Sequence, residues 1–269
     1  MRSSSFWLAA LCGIQFLPAA VTVRFDPASP DVGPFPTDFL TVPDSNQKTG
    51  LRINLPSPDC TAQPSGCQDI ALLNRLDGFQ LEPRIRVRFS GAITPDSLRL
   101  GVYFVALDNL TTEEYGIETT GEIVPINEVG YDPATQTGYA KPDYLLDQHR
   151  RFAIIVTDGV TDASGVSVQP DPAFTGCVSP PPGVLQTIYC SKLRQVFNDQ
   201  QAQFGPHKIV GASIFTTMSA TVFMENAHMQ LQNTNVGFQR PTGKRVFNIG
   251  DLSGITLRRQ VKANSTDLV

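Results

Sequence analysis

The chain is poor in the residues that most sequence-visible chemistry needs. It has three histidines and one tryptophan, no Gly-x-Ser-x-Gly pentapeptide, no His-Glu-x-x-His, no Gly-x-x-x-x-Gly-Lys and no Gly-x-Gly-x-x-Gly. The first absence removes the strained turn that exposes a serine nucleophile; the others remove the familiar zinc-protease helix and the phosphate cradles. His149, His207 and His228 are too dispersed to mark a metal site, so no cofactor and no metal is expected. Charge is sparse as well, 21 basic against 25 acidic residues with no block of either sign. Without a basic stripe interleaved with aromatics, a nucleic-acid partner is not expected. Nor is there, beyond the N-terminus, an apolar run of about 18 residues, so no integral membrane span is expected once that terminus is removed.

What is present begins with a signal-like start. Arg2 precedes an apolar stretch from Phe6 to Leu17, and Ala19 and Ala20 supply small residues for cleavage, so 1–20 reads as a secretory signal. Cys12 lies inside it with Leu11 before it, which does not suit a lipid-attachment site. The chain is therefore expected in the periplasm, outside the cell or on its surface. The four other cysteines agree, because disulfides persist in oxidising compartments. Six residues separate Cys60 from Cys67 and twelve separate Cys177 from Cys190. Of the three possible connectivities the two local pairs are favoured, each bridge contributing roughly 2.5–3 kcal/mol on the chain-entropy account.

From Val21 to about residue 83 the chain is rich in Pro, Asp and Gly and reads as an extended arm, with Phe25, Phe35, Phe39 and Leu40 as anchors and a hairpin-like Cys60–Cys67 loop. Period-2 alternation then begins: Ile85, Val87 and Phe89 alternate with Arg84, Arg86 and Arg88, one face apolar and the other cationic. This arginine face is the one surface expected to meet an acidic ligand. Further strands are expected at Leu98–Leu107, Glu122–Val129, Thr137–Ala140, Arg151–Thr157 and Lys208–Thr216, separated by turn signals such as Thr94-Pro95-Asp96 and Asp162-Ala163-Ser164-Gly165. Helical spacing is confined to an insert at 184–204, carrying Leu185, Ile188, Tyr189, Leu193, Val196 and Phe197, and to Ser219–Leu231. The expectation is an all-β chain: an immunoglobulin-like β-sandwich over 84–217 with the helical insert, then a C-terminal helix and short tail over 218–269.

Candidate chemistry is thin. Ser213, in Gly211-Ala212-Ser213-Ile214-Phe215, lies inside an apolar strand, and an unusual hydrolase would use Ser213 or Ser219 with His228 as base. His149, next to a strand start, reads as part of a solvated turn. Asp26, Asp31 and Asp38, and Asp158 with Asp162, could offer oxygen ligands to calcium but lack EF-hand spacing, and turns account for them. Asn109 and Asn264 head glycosylation sequons that matter only in a eukaryotic secretory route.

Several short segments recur together in order: Phe25-Asp26-Pro27, Pro34 to Leu40, Leu76-Asp77-Gly78-Phe79, Ile85 to Ser90, Thr94 to Leu98, Ile154 to Gly159, and Phe215-Thr216-Thr217-Met218-Ser219. Together they resemble the N-terminal region of exported bacterial lipase-like proteins, with Ig-like domains of the bacterial surface type, over most of Val21–Ala220. The resemblance implies a β-sandwich carried ahead of a catalytic α/β-hydrolase domain, whose catalytic residues would lie downstream, so none is carried over. Three functions follow as expectations: a non-catalytic exported binding or accessory module, the N-terminal part of a secreted hydrolase, or a structural surface-layer or adhesin-like subunit. The partners these imply are a cell-surface or envelope component or a downstream hydrolase domain.

Overall fold

Strands form where apolar residues occupy alternate positions, and here most such stretches find partners. A computed structural model describes residues 20–110 and 119–233. Its strands are β1 (Thr22–Val23), β2 (Thr41–Pro43), β3 (Leu51–Ile53), β4 (Ile85–Arg88), β5 (Val102–Asn109), β6 (Ile123–Val124), β7 (Ile126–Asp132), β8 (Thr137–Pro142), β9 (Arg150–Thr157), β10 (Gln169–Pro170) and β11 (Ile209–Thr216). Its helices are α1 (Pro64–Leu73), α2 (Leu98–Gly101), α3 (Pro172–Val178), α4 (Ile188–Gln200) and α5 (Val222–Asn233). Contacts divide the chain into a unit ending at Ala220 and a second from Thr221 onward. The signal-like stretch through residue 19, the strand-like run 245–269 and the Asn264 sequon lie outside the described residues.

The first unit holds a four-stranded antiparallel sheet in the order β11-β9-β5-β6 and a three-stranded antiparallel sheet in the order β4-β8-β7, with β2-β3 and the parallel pair β1-β10 beside them. One hydrophobic cluster joins the two larger sheets: Ile85, Val87 and Ala140 from one, Phe104, Phe152, Ile154, Val156 and Phe215 from the other. The opposite face of the four-stranded sheet, with Val105, Ala153, Ile155, Ala212 and Ile214, packs under Phe174 of α3 and Tyr189 and Leu193 of α4. Because β9 is covered on both faces, Phe152–Val156 is apolar at every position, as a doubly buried strand must be.

β11 keeps both faces apolar through a bulge. Ile209 lies on the helix side and Val210 on the sheet side; Val210 is the extra residue between the paired Ile209 and Gly211, and it reverses the parity, so that Ala212 and Ile214 face the helices and Phe215 the sheet.

The architecture is β-rich rather than all-β. The Cys60–Cys67 loop, expected as a hairpin, runs into the first turn of α1 instead, opened by Pro64, where the missing N–H costs nothing. The strand expected from Leu98 starts only at Val102, because Pro95–Gly101 closes into a 3-10 turn and α2. The insert begins earlier than expected, with α3 capped by Asp171 accepting from Ala173 N and α4 capped by Thr187 accepting from Cys190 N. In the second unit the helix expected from Ser219 opens at Val222 as α5. Within the arm, Val23, Phe25, Leu40, Ile53 and Phe79 are buried, so that segment is part of the core. No helix among the described residues is long and apolar enough to cross a membrane.

Candidate functional site

The arginine strand points outward, and much of it is already occupied. Ile85 and Val87 are buried, leaving the guanidinium groups of β4 on the other face. The arm lies along this strand, with Phe35 and Arg86 exchanging backbone hydrogen bonds of 3.0 and 2.9 Å. Arg86 pairs with Asp31 (Nη1–Oδ1 3.0 Å), donates to the Pro30 carbonyl at 2.8 Å and lies 4.9 Å from the Phe35 ring centre. Arg88 donates to the carbonyls of Thr135 (3.1 Å) and Asp31 (3.2 Å). Arg84 rests 4.8 Å over the Tyr139 ring. Asp31 thus supplies from within the chain the acid that this face was expected to find in a ligand. A shallow hollow of about 210 Å³ remains between Arg86, Arg88 and Thr137.

A second polar locus forms where three of the recurring segments meet. β11 is the outer strand of its sheet, and an outer strand must hide its free N–H groups. Asp38 accepts from Thr216 N at 2.8 Å and from Thr216 Oγ1 at 2.7 Å. The Tyr189 hydroxyl accepts from Ile214 N (3.3 Å) and Thr37 Oγ1 (2.9 Å) and lies 3.2 Å from Ser213 Oγ, which donates to the Pro36 carbonyl at 2.8 Å. The Leu76–Phe79 segment closes the end of the strand: Phe79 N donates to Thr216 O at 2.8 Å and Met218 N to Phe79 O at 2.7 Å. The Asp77 carboxylate accepts from Ser219 N at 2.8 Å and from Ser219 Oγ. A side chain at Gly78 would meet Thr217 C and Met218 N at 2.7 Å, so only glycine allows this approach.

Burial raises the Asp38 carboxyl to about 6, against the pull of the two Thr216 hydrogen bonds and the charges of Arg151 and Lys192. Burial likewise pushes the Tyr189 phenol upward, opposed by its hydrogen bonds to Ser213 and Thr37. Both groups therefore stay uncharged more readily than in water.

The residues considered for chemistry are dispersed. Ser213 is 1% exposed and Ser219 5%, and each hydroxyl is engaged as above, with no histidine among their hydrogen-bond partners. His228 lies on α5 in the second unit, where Nε2 sits 2.8 Å from Gln232 Nε2. His149 is not in a solvated turn: it is 2% exposed and has a left-handed φ of 57°, turning the chain into β9 while its carbonyl accepts from Leu110 N. Asp26 and Asp162 accept backbone N–H groups of their own turns, Asp31 pairs with Arg86, and Asp158 binds His207 Nδ1 (2.9 Å) and Lys208 N (3.1 Å). Among the described residues no group of three or more His, Cys, Asp or Glu could hold a metal ion.

Both expected disulfides are formed, Cys60–Cys67 with Cα atoms 5.5 Å apart and Cys177–Cys190 with 5.0 Å. The first ties the start of α1 to the loop before it; the second joins α3 to α4. The Asp38–Thr216 and Asp77–Ser219 pairs were not readable in advance, because each spans more than 140 residues of sequence. Their signal was present only as recurring segments whose mutual contact the sequence did not state.

Fold and site together define a β-rich, disulfide-braced module whose N-terminal arm is fastened along two strands. No family model matches the chain, and no curated protein matches it in sequence. Among solved structures it is similar to the surface layer protein SbsC, domains 1–6, at 10% identity and a TM-score of 0.25, over 41% of this chain and 16% of that one. It is also similar to the S-layer protein rSbsC(31–844), at 10% identity and 0.26 over 42% and 16%, and to the N-terminal part of the bacterial S-layer protein SbsC, at 10% and 0.24 over 40% and 26%. The chain thus spans between about a sixth and a quarter of these proteins' length. TM-scores this low carry neither fold nor function across.

Proposed function

We propose that the chain is an exported, non-catalytic accessory or binding module built on an immunoglobulin-like sandwich, working at or outside the cell surface. The observation that carries this reading is the fastening around β11: both serines considered as nucleophiles are buried and spend their hydroxyls on Pro36, Tyr189 and Asp77. A serine hydrolase needs its hydroxyl exposed beside a base. The two sheets that share one core support the sandwich, and the disulfides support an oxidising compartment. Purified protein incubated with short-chain acyl esters should give no turnover above buffer. Turnover abolished by a serine-directed inhibitor would overturn the proposal.

A second reading makes the module the front part of a secreted hydrolase. It is favoured by the division at Ala220, directly after the residue that Asp77 holds, where a compact unit ends and another starts. Reading the coding DNA past the Val269 codon decides it: an open frame carrying Gly-x-Ser-x-Gly supports an appended catalytic domain, and a stop with no such frame removes it.

A further inference from the structure

Helix α4 leaves part of the sheet beneath it uncovered. Tyr189 and Leu193 seat the helix on the β-sheet, and the Cys177–Cys190 bridge holds that end to α3. Toward its C-terminal end a cleft of about 400 Å³ opens between α4 and the strands, within the size range of small-molecule sites. Lys192, Gln195, Val196, Asp199 and Gln200 line it, spaced three or four apart and so on one helix face. Its apolar part comes from Leu107, Val196 and Ile214.

The polar groups of this cleft are unevenly satisfied. Arg151 is closed on Asp108 (Nη2–Oδ2 3.0 Å). Lys192 and Asp199 are exposed; neither forms an ion pair among the described residues, although the charge of Lys192 also acts on Asp38. Gln200 is only 9% exposed, yet its side-chain amide makes no hydrogen bond among the described residues. The amide atoms of Gln200 are not closed off from solvent, and an amide so placed, with two donors and an acceptor, is open to water or to a ligand.

From these groups we infer that the cleft binds a short zwitterionic peptide, two or three residues long, with an apolar side chain. Its carboxylate would meet Lys192 and its ammonium Asp199. The seven-residue step from Lys192 to Asp199 spans about 10 Å along the helix, and an extended chain of three residues covers about the same length. The apolar side chain would lie on Leu107, Val196 and Ile214, and the Gln200 amide would pair with a peptide group, which offers both a donor and an acceptor. A free anion would leave Asp199 repelling it, and a free cation would leave Lys192 doing so, which argues for a ligand bearing both charges at a distance.

This inference rests on the reading of the chain as a binding module but fails separately from it. Ester turnover would undo the module reading whatever the cleft holds, whereas peptide binding is measured directly. Titrating the intact, oxidised chain with Ala-Leu-Ala by calorimetry should give saturable binding below about 1 mM. Acetylating the amino end or amidating the carboxyl end of the peptide should each weaken binding about tenfold, a difference of about 1.4 kcal/mol. Lys192→Met should abolish the difference between free and amidated peptide, and Asp199→Asn that between free and acetylated peptide. Gln200→Leu should weaken all three alike. No saturable heat up to about 10 mM, or equal binding of the doubly blocked peptide by the unaltered protein, would overturn the inference without recourse to any variant.

Discussion

The two faces of the four-stranded sheet are built by different rules. Toward the three-stranded sheet the core is aromatic and dry, with Phe152 stacked on Phe215 at 5.8 Å and Phe104 against Phe215 at 6.1 Å between ring centres. Toward the helices the sheet presents Ala153 and Ala212, small enough for α3 and α4 to approach, and the Tyr189 hydroxyl carries hydrogen bonds into the packing. The dry face needs only volume and alternation, so many sequences could fill it. The helix face and the adjoining edge need particular donors and acceptors in register, and that is where the arm is fastened and where the open cleft lies.

The comparison is broken most severely on the dry side. Phe152→Ala should cost about 4 kcal/mol in urea unfolding, since a wholly buried ring leaves a cavity that its neighbours cannot refill. On the helix side Tyr189→Phe keeps the volume but strips the Thr37, Ser213 and Ile214 groups of a partner, for an expected loss of about 2 kcal/mol. Hydrogen exchange at Ile214 N should accelerate in that variant while Ile154, in the centre of the sheet, stays protected.

A smaller effect follows from the Asp38 carboxyl, which sits above its usual value of 3.8 at about 6. Because the folded value is the higher one, its contribution is fully present below pH 3.8 and is lost as pH rises through 6. The full shift corresponds to about 3 kcal/mol, and the partial exposure of Asp38 reduces it to roughly half. Asp38→Asn should therefore flatten the unfolding free energy between pH 4 and 7 relative to the unaltered chain, and a parallel profile in both proteins would contradict the assignment. The smallest change is Arg84→Ala, which loses an exposed contact with Tyr139 and should move stability by less than about 0.5 kcal/mol. A large loss there would mean that the arginine face does more than hold the arm.

How far these features were legible depends on the range of the interaction. Phe152–Val156 and Ile209–Phe215 announced themselves because apolar residues at every or every second position have few other places to go. The local disulfides were legible for the same reason, each closing a short loop. The helix α1 gave no such sign, since none of its residues is buried and no apolar stripe is imposed on it. For α3 the signal, Asp171-Pro172, was present but the helix is too short for periodicity to speak. The cleft on α4 was invisible because Lys192, Gln195 and Asp199 read as an ordinary solvated face until Gln200 proved to be buried.

By itself the sequence determined the longer strands, though not β1, β2, β3 and β10, together with the two local cysteine pairs and the outward arginines, all consequences of alternation or of short loops that local physics settles. Only the tertiary structure decided that Asp31 would occupy the arginine face, that Asp38 and Asp77 would fasten the end of β11, and that α4 would leave a polar cleft. Each of these depends on chain segments far apart in sequence arriving at hydrogen-bond distance. No pattern within a single segment encodes that distance.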